Sequence, residues 1–405
     1  MRTQANCLLD RLVRPTVRVG GKDLAAFQLC GCVGLELAVL LAMSLVLSRG
    51  LSPWPMGAII GVAIATFYAL AFATKIITGK EELIYYHHEI GVLTSAALTA
   101  WLLRQPVLAY LDATILGVGA FLTFGRLGCL MAGCCHGRPH AWGVRYREEH
   151  ADAGFPRYYV GVRLFPTQAV ESLGAASIVI VGAAMVLRGA PPGAAMVWYV
   201  VAYDLLRFCL EFARGDTGRP YHAGFSEAQW ISLALTWVVA LGGLVGLLPG
   251  QPWHLPAALA LAAAMLLVAA LRRRPGGRHR LHLPTHVREV AAAIAPRPGD
   301  AGAPRVVTTS LGYRISAGVV ESHGGAVRHY TLSRDGGPLA APALASLAKI
   351  IAGLKPDDGP FEVLRGQRGA VHLVTAHGAP SVMAEAAPVA TEPILLPLGP
   401  SAERL

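Results

Sequence analysis

Three short stretches hold side chains whose types and spacing could do chemistry. GRLGCLMAGCCHGRPHAWGVRY, from Gly125 to Tyr146, sets Arg126, Arg138 and Arg145 among Gly125, Gly128, Gly133 and Gly137. The planar fork of arginine matches two oxygens of a phosphate, and glycines let backbone approach a bulky head group. Arg147, Arg157 and Arg163 continue the basic run, against Glu148, Glu149 and Asp152. YDLLRFCLEFARGD repeats Tyr203, Arg207, Glu211 and Arg214 at helical spacing, so one face presents hydroxyl, guanidinium, carboxylate and guanidinium. IYYHHEIG brings His87 and His88, whose ordinary pKa of about 6.5 suits a general base. The shared chemistry is the handling of a phosphate-bearing anion. The plain alternatives are a solvated loop that sets topology, an internal Arg207–Glu211 pair, and an aromatic interface belt at Tyr85–Tyr86.

Cys129, Cys134, Cys135 and His136 raise a metal reading. Zinc sites usually space their ligands as Cys-x(2–4)-Cys pairs, and neighbouring cysteines rarely both face one ion. No second pair follows, so the sequence predicts no metal and no cofactor. The thiols read as small packing groups, or as a reactive thiol at Cys134 or Cys135 activated by His136 and Arg138. The seven cysteines are too few and too apolar in setting for a secreted disulfide framework. Cys30, Cys32 and Cys209 read as buried free thiols.

These groups must be positioned by membrane helices. The 405 residues are 54% hydrophobic and 15% charged, with mean hydropathy +0.48, too apolar for an ordinary soluble enzyme. Crossing the hydrocarbon core takes about 20 apolar residues. Such stretches fall near 27–48, 54–75, 89–103, 106–124, 168–188, 193–213, 228–248 and 254–271, with 89–103 the weakest. The fold class is an all-α polytopic membrane protein of about seven to eight transmembrane helices with a small C-terminal α+β soluble domain. LFPTQAVES starts one of these helices with Pro166 and Thr167, and brings Gln168 and Glu171 to its first turn, where Glu171 could brace a loop arginine.

Residues 1–25 read as a basic leader, 26–271 as the membrane domain, 272–303 as a basic Pro/Gly linker and 304–405 as the soluble domain. In the last, RVVTTSL, YRISAGVVES, VRHYTLSR, FEVLRG and VHLVTA read as strands and LAAPALASLAKIIAGL as a helix, with a loosely ordered tail after Ala386. The net charge of +10 points to anionic head groups or cytoplasmic anchoring rather than nucleic acid, since no basic stretch is interleaved with aromatics on a soluble face. LCGC at Leu29–Cys32 is no lipoprotein cleavage box, because it lies inside a span.

In their order, these pieces resemble the prolipoprotein diacylglyceryl transferase family. The resemblance rests on Gly125-Arg126-Leu127-Gly128, Gly133 and Gly137-Arg138, on Pro166-Thr167-Gln168 with Glu171, on Tyr203, Arg207-Phe208, Glu211-Phe212 and Arg214, and on Ala228-Gln229-Trp230. It covers roughly 30–248. Where the family carries two Asn and a Glu in its loop, this chain has Cys129, Ala132 and Cys134. The family's His-Gly-Gly aligns on Tyr86-His87-His88.

The resemblance implies transfer of a diacylglyceryl group from phosphatidylglycerol to the lipobox cysteine thiol of a prolipoprotein. It implies a bacterial-type cytoplasmic (inner) membrane and contact with other membrane lipids. Arg126 and Arg207 would clamp the phosphate, supported by Tyr203 and Glu211, with His87 or His88 moving a proton. Gly125, Gly128, Gly133, Gly137, Arg138, Gln168, Glu171, Arg214 and Gln229 would bind substrate. The alternative is a non-catalytic or retasked paralogue that binds anionic phospholipid or a lipoprotein partner. Positive-inside bias would put the loop, the N-terminal arginines and RRRPGGRHR in the cytoplasm. The family's loop faces outward, and the membrane core is expected to follow the family.

Overall fold

The computed structural model describes residues 2–79, 84–273, 278–295, 305–322, 325–335, 337–355, 358, 360–366 and 369–375. The chain opens with helix α1 (Arg2–Leu12) and a hairpin of β1 (Thr16–Val19) and β2 (Lys22–Ala25). Helices α2 (Ala26–Ser48), α3 (Pro53–Thr78), α4 (Tyr85–Leu102) and α5 (Val107–Ala132) follow. The arginine loop then contributes β3 (Pro139–Arg145), the short α6 (Glu148–Asp152) and β4 (Arg163–Leu164), which pairs with β3. Helices α7 (Thr167–Leu187) and α8 (Ala194–Glu211) lead to a small hairpin, β5 (Tyr221–His222) and β6 (Phe225–Ser226). Helices α9 (Glu227–Leu244) and α10 (His254–Arg272) complete the bundle.

Helices form at all eight expected stretches, but six among the described residues are long and apolar enough to cross a membrane: α2, α3, α5, α7, α9 and α10. The other two, α4 and α8, are 18-residue helices carrying His87, His88 and Glu89, and Asp204, Arg207 and Glu211. Glu89, Asp204, Arg207 and Glu211 are buried inside the bundle, as the cost of exposing charge to hydrocarbon requires. By length and composition alone, then, six of these eight helices qualify as spans, and α4 and α8 are the chemically loaded members of the bundle.

Small residues let these helices approach one another closely. A Cβ on Gly117 of α5 would lie 3.1 Å from the Ala38 carbonyl of α2, and one on Gly119 would collide with the Tyr199 ring of α8 at 2.3 Å. Asp112 of α5 accepts the Gly193 and Met196 amides at 2.8 and 2.7 Å, so a buried carboxylate caps the N-terminus of α8. Tyr86 donates to Asp204 at 2.9 Å and lies 2.7 Å from Ser232, tying α4, α8 and α9 together. Cys32 and Cys209, expected to be buried, lie exposed on the outer surface of the bundle.

The described residues of the N-terminal stretch and of 272–303 include regular elements. Asn6 and Asp10 of α1 grip the arginine loop: Asn6 accepts the Gly143 amide at 2.9 Å, and Asp10 accepts both Nη atoms of Arg163 at 3.2 and 2.8 Å. After α10, α11 (Arg278–Leu281) and α12 (Pro284–Ile294) precede a five-stranded antiparallel sheet. Its strands are β7 (Val307–Thr308), β8 (Tyr313–Ser322), β9 (Gly325–Arg334), β10 (Phe361–Arg365) and β11 (Val371–Thr375), in the order β10-β11-β9-β8-β7. Helix α13 (Ala341–Leu354) buries Leu347 and Ile351 against it. The tail after Ala386 lies outside the described residues.

This sheet unit and the arginine loop share one core, in which Val144, Tyr146, Tyr159 and Leu164 pack with Val290, Ile315, Leu332 and Leu347. Arg272, ending α10, donates to the Gly224 carbonyl beside the start of α9 and stacks over Phe225. So α10 returns the chain to the end of the bundle where α9 began. Helix α1, the arginine loop and the C-terminal unit therefore occupy one end of the bundle. Leu347→Ala should cost about 2–5 kcal/mol of local stability through the cavity it leaves. Limited proteolysis should then show faster cleavage within 139–165 as well as within the sheet unit.

Candidate active site

A cavity of about 510 Å³ opens at that end of the bundle, lined in part by Arg126, Cys134, Cys135, Arg207, Arg214 and Arg219. Each arginine arrives on a different structural device. Arg126 sits two turns before the end of α5 and Arg207 one turn before the end of α8. Arg214 and Arg219 lie on the segment joining α8 to β5. That segment is anchored to the loop by a bridge between Gly137 and Arg214. A Cβ on Gly137 would lie 2.4 Å from the Phe165 carbonyl, so only glycine permits this three-way approach.

Glu171, in the first turn of α7, joins the two helix-borne arginines. Its Oε2 lies 3.0 Å from Arg126 Nε and 3.6 Å from Arg207 Nη1, and its Oε1 accepts the Tyr203 hydroxyl at 2.7 Å. Glu211 continues the chain of charges, 2.6 Å from Arg207 Nη2, 3.9 Å from Arg214 Nε and hydrogen-bonded to Arg219. Asp216 holds Arg214 through two bonds of 2.9 Å. Four guanidiniums thus meet three carboxylates, leaving one positive charge in excess. Arg207 Nε and Nη1 and Arg219 Nε are buried and make no hydrogen bond. Unmet donors of this kind are costly unless a ligand or water completes them. The arrangement suits an oxyanion.

The expected residues divide. Arg126, Tyr203, Glu211, Arg207, Arg214 and Glu171 converge, with the Tyr203 hydroxyl donating a hydrogen bond to Glu171. Gln168 supports the loop, donating to the Cys134 carbonyl at 2.6 Å. Arg138 turns away from the cavity and donates to the Arg214 carbonyl at 3.2 Å, and Gln229 closes the cap of α9 with Ser226. Gly133 ends α5 with φ +84°, and Gly128 packs on Phe27. Gly125 has open space where a side chain would project.

His88 is buried with its Nδ1 3.0 Å from the Ile84 carbonyl and its ring on Phe67, away from the cavity. His87 stands at the rim, 2.9 Å from Glu227. Arg219 and Asp216 escaped the sequence reading; the signal was the charge alternation in ARGDTGRP, which continues the helix stripe past its end.

The thiols also depart from expectation. The sulfurs of Cys129, Cys134 and Cys135 lie within 4.8 Å of one another, so adjacency does not splay them. Cys135 takes φ +56°, which swings its side chain back toward its neighbours. His136 and Arg138 do not activate them: His136 packs edge-on against Phe155 and Tyr159, its Nδ1 beside the Gly137 carbonyl. Hydrogen bonds from Cys129 and Cys134 instead hold the Cys135 thiol well below its usual range, against burial, with Arg214 and Arg126 adding to the effect.

Comparison with known proteins follows the same geometry. Residues 54–245 match the family profile described as prolipoprotein diacylglyceryl transferase. The chain is 29% identical over 164 residues to phosphatidylglycerol–prolipoprotein diacylglyceryl transferase 2 of Clostridium perfringens, covering 40% of this chain and 60% of that one. It is 29% identical over 149 residues to the corresponding Clostridium tetani protein, covering 35% and 57%. With the Dehalococcoides mccartyi protein identity is 26% over 149 residues, covering 36% and 55%. The chain thus spans 60% or less of these relatives' lengths.

Two outcomes follow from the charge cluster. Glu171→Gln leaves Arg126 and Arg207 buried without their shared partner and should cost about 3–5 kcal/mol, measured as a lowered unfolding midpoint in detergent. For Asp216, burial alone would raise the carboxyl, but Arg214 and then Arg219 hold it below its ordinary value. Its contribution is therefore present above the unfolded carboxylate pKa and lost as pH falls through the lower folded one. Asp216→Asn should flatten this acid limb of the stability profile.

Proposed function

We propose, from a membrane body that matches the prolipoprotein diacylglyceryl transferase family, that this chain moves a diacylglyceryl group from phosphatidylglycerol to a cysteine thiol. The acceptor would be the lipobox of a prolipoprotein, and the membrane the bacterial-type cytoplasmic one. The observation that carries this reading is the buried guanidinium cluster whose Arg207 and Arg219 nitrogens lack hydrogen-bond partners beside the cavity. A phosphodiester head group brings oxygens that such donors complete, while its acyl chains stay among the apolar helices.

The chemistry is displacement at carbon. The acceptor sulfur bonds to the terminal glyceryl carbon while that carbon's bond to the phosphate oxygen breaks; glycerol phosphate departs with the electron pair, and the thiol proton passes to solvent or to the departing phosphate. Charge grows on that phosphate in the transition state. Preorganised, buried guanidiniums stabilise it more than they stabilise the bound lipid. Arg126 and Arg207 take this role, with Glu171 and Glu211 fixing their planes and Tyr203 fixing Glu171. The nucleophile comes from the substrate, so no serine or cysteine of this chain need attack.

In cells depleted of their own diacylglyceryl transferase, this chain should restore lipoprotein lipidation. Arg126→Ala and Arg207→Ala should lower it by roughly 10²–10³-fold. Arg157→Ala, on the exposed outer part of the loop, should leave it unchanged. A correctly inserted chain that binds phosphatidylglycerol without lipidating any acceptor would instead support the binding paralogue.

A further inference from the structure

Three thiols, of which Cys134 and Cys135 line the cavity, are built as a cluster. Cys129 closes the last turn of α5, Gly133 ends it in the left-handed region, and Cys135 is left-handed again at φ +56°. A non-glycine residue adopts that conformation only where surrounding structure enforces it. Here α7 enforces it, since Gln168 Nε2 holds the Cys134 carbonyl at 2.6 Å and Thr167 Oγ1 holds the Cys135 carbonyl at 2.8 Å. The strain is spent on gathering three sulfurs within 4.8 Å of one another. Simple packing would not call for it.

Thiolates bound to one tetrahedral or trigonal ion at about 2.3 Å stand roughly 3.8–4.0 Å apart, so sulfurs within 4.8 Å of one another need draw in by about 1 Å or less. Charge narrows the occupant. Three thiolates carry two negative charges around a monovalent cation and one around a divalent cation, so a divalent ion detracts least from the positive charge of the neighbouring guanidiniums. All-sulfur donors select a thiophilic ion, which among common divalent cations means zinc.

We propose that Cys129, Cys134 and Cys135 bind a zinc-like divalent cation, and that its open fourth position takes the acceptor thiol. This rests on the transferase reading for its second half. Three protein ligands leave such an ion one exchangeable position, and Cys134 and Cys135 face the same cavity as Arg126 and Arg207. A thiol that coordinates there gives its proton to solvent in the cavity. Its sulfur then forms the carbon–sulfur bond as the carbon–oxygen bond breaks toward the guanidiniums. The cation is neither oxidised nor reduced.

The test uses the full chain, purified in detergent without chelator under anaerobic conditions. Metal analysis should find zinc in equal molar amount to protein, and cobalt exchanged into the site should show sulfur-to-cobalt charge-transfer absorption. Cys134→Ser and Cys135→Ser should weaken cation binding at least about tenfold, while Cys7→Ser and Cys209→Ser, outside the cluster, should not. A peptide with a single cysteine should shift the cobalt spectrum, and its serine counterpart should not. Substoichiometric zinc together with no cobalt band, or a disulfide within the cluster, would overturn the site. A bound cation whose spectrum ignores the cysteine peptide would overturn the acceptor role. A thiol-responsive cation without lipid transfer would strike the transferase reading and leave the site standing.

Discussion

A buried carboxylate, Glu171, holds two arginines from two helices at the polar end of the bundle. Its oxygens meet Arg126 of α5, Arg207 of α8 and the Tyr203 hydroxyl at 3.0, 3.6 and 2.7 Å. Each of these groups alone would be expensive inside a membrane protein. Together they neutralise one another, and the helices that carry them are forced into one relative placement. Ion pairs of this sort contribute little net stability against well-packed apolar residues. Their value lies in fixing guanidinium planes before any ligand arrives, so that little reorganisation remains when an anion binds.

The rest of the molecule serves that placement. The arginine loop is a roof whose inner wall carries Cys134 and Cys135 and whose outer wall packs on the C-terminal unit. Val144 and Tyr146 lie in the same core as Val290 and Leu347, and Asp10 of α1 ties Arg163 from the opposite side. A loop lying over a wet cavity cannot bury enough of its own apolar surface to stay ordered. The N-terminal helix and the appended sheet unit supply that surface from outside the bundle. Their position at the same end as the cavity follows from the return of α10, which Arg272 fastens beside Gly224.

Much of this was legible in residue order. The apolar runs located the bundle helices, and the Tyr203–Arg214 stripe located the charged face, because hydrocarbon tolerates such groups only when they face inward. Strand-like β-branched content in YRISAGVVES, VRHYTLSR, FEVLRG and VHLVTA anticipated the sheet. What stayed hidden depends on tertiary contact. His88 had the chemistry of a base but packs on Phe67, and Arg138 had the chemistry of a phosphate ligand but braces the Arg214 backbone. Neither direction is encoded in spacing. The convergence of Cys129, Cys134 and Cys135 needed a left-handed Cys135, which sequence rules assign to glycine or asparagine rather than cysteine. The docking of α1 and α12 was invisible because short amphipathic segments look alike whether free or packed.

The central claim is that the guanidinium cluster turns a bound phosphatidylglycerol into a donor for an acceptor thiol. It is tested most directly with the purified chain in phosphatidylglycerol vesicles and a synthetic lipobox peptide, followed by peptide mass and by released glycerol phosphate. The account predicts a peptide heavier by one diacylglyceryl group and an equal yield of glycerol phosphate. Lipid retained by the protein, with the peptide mass unchanged and no glycerol phosphate released, would contradict it.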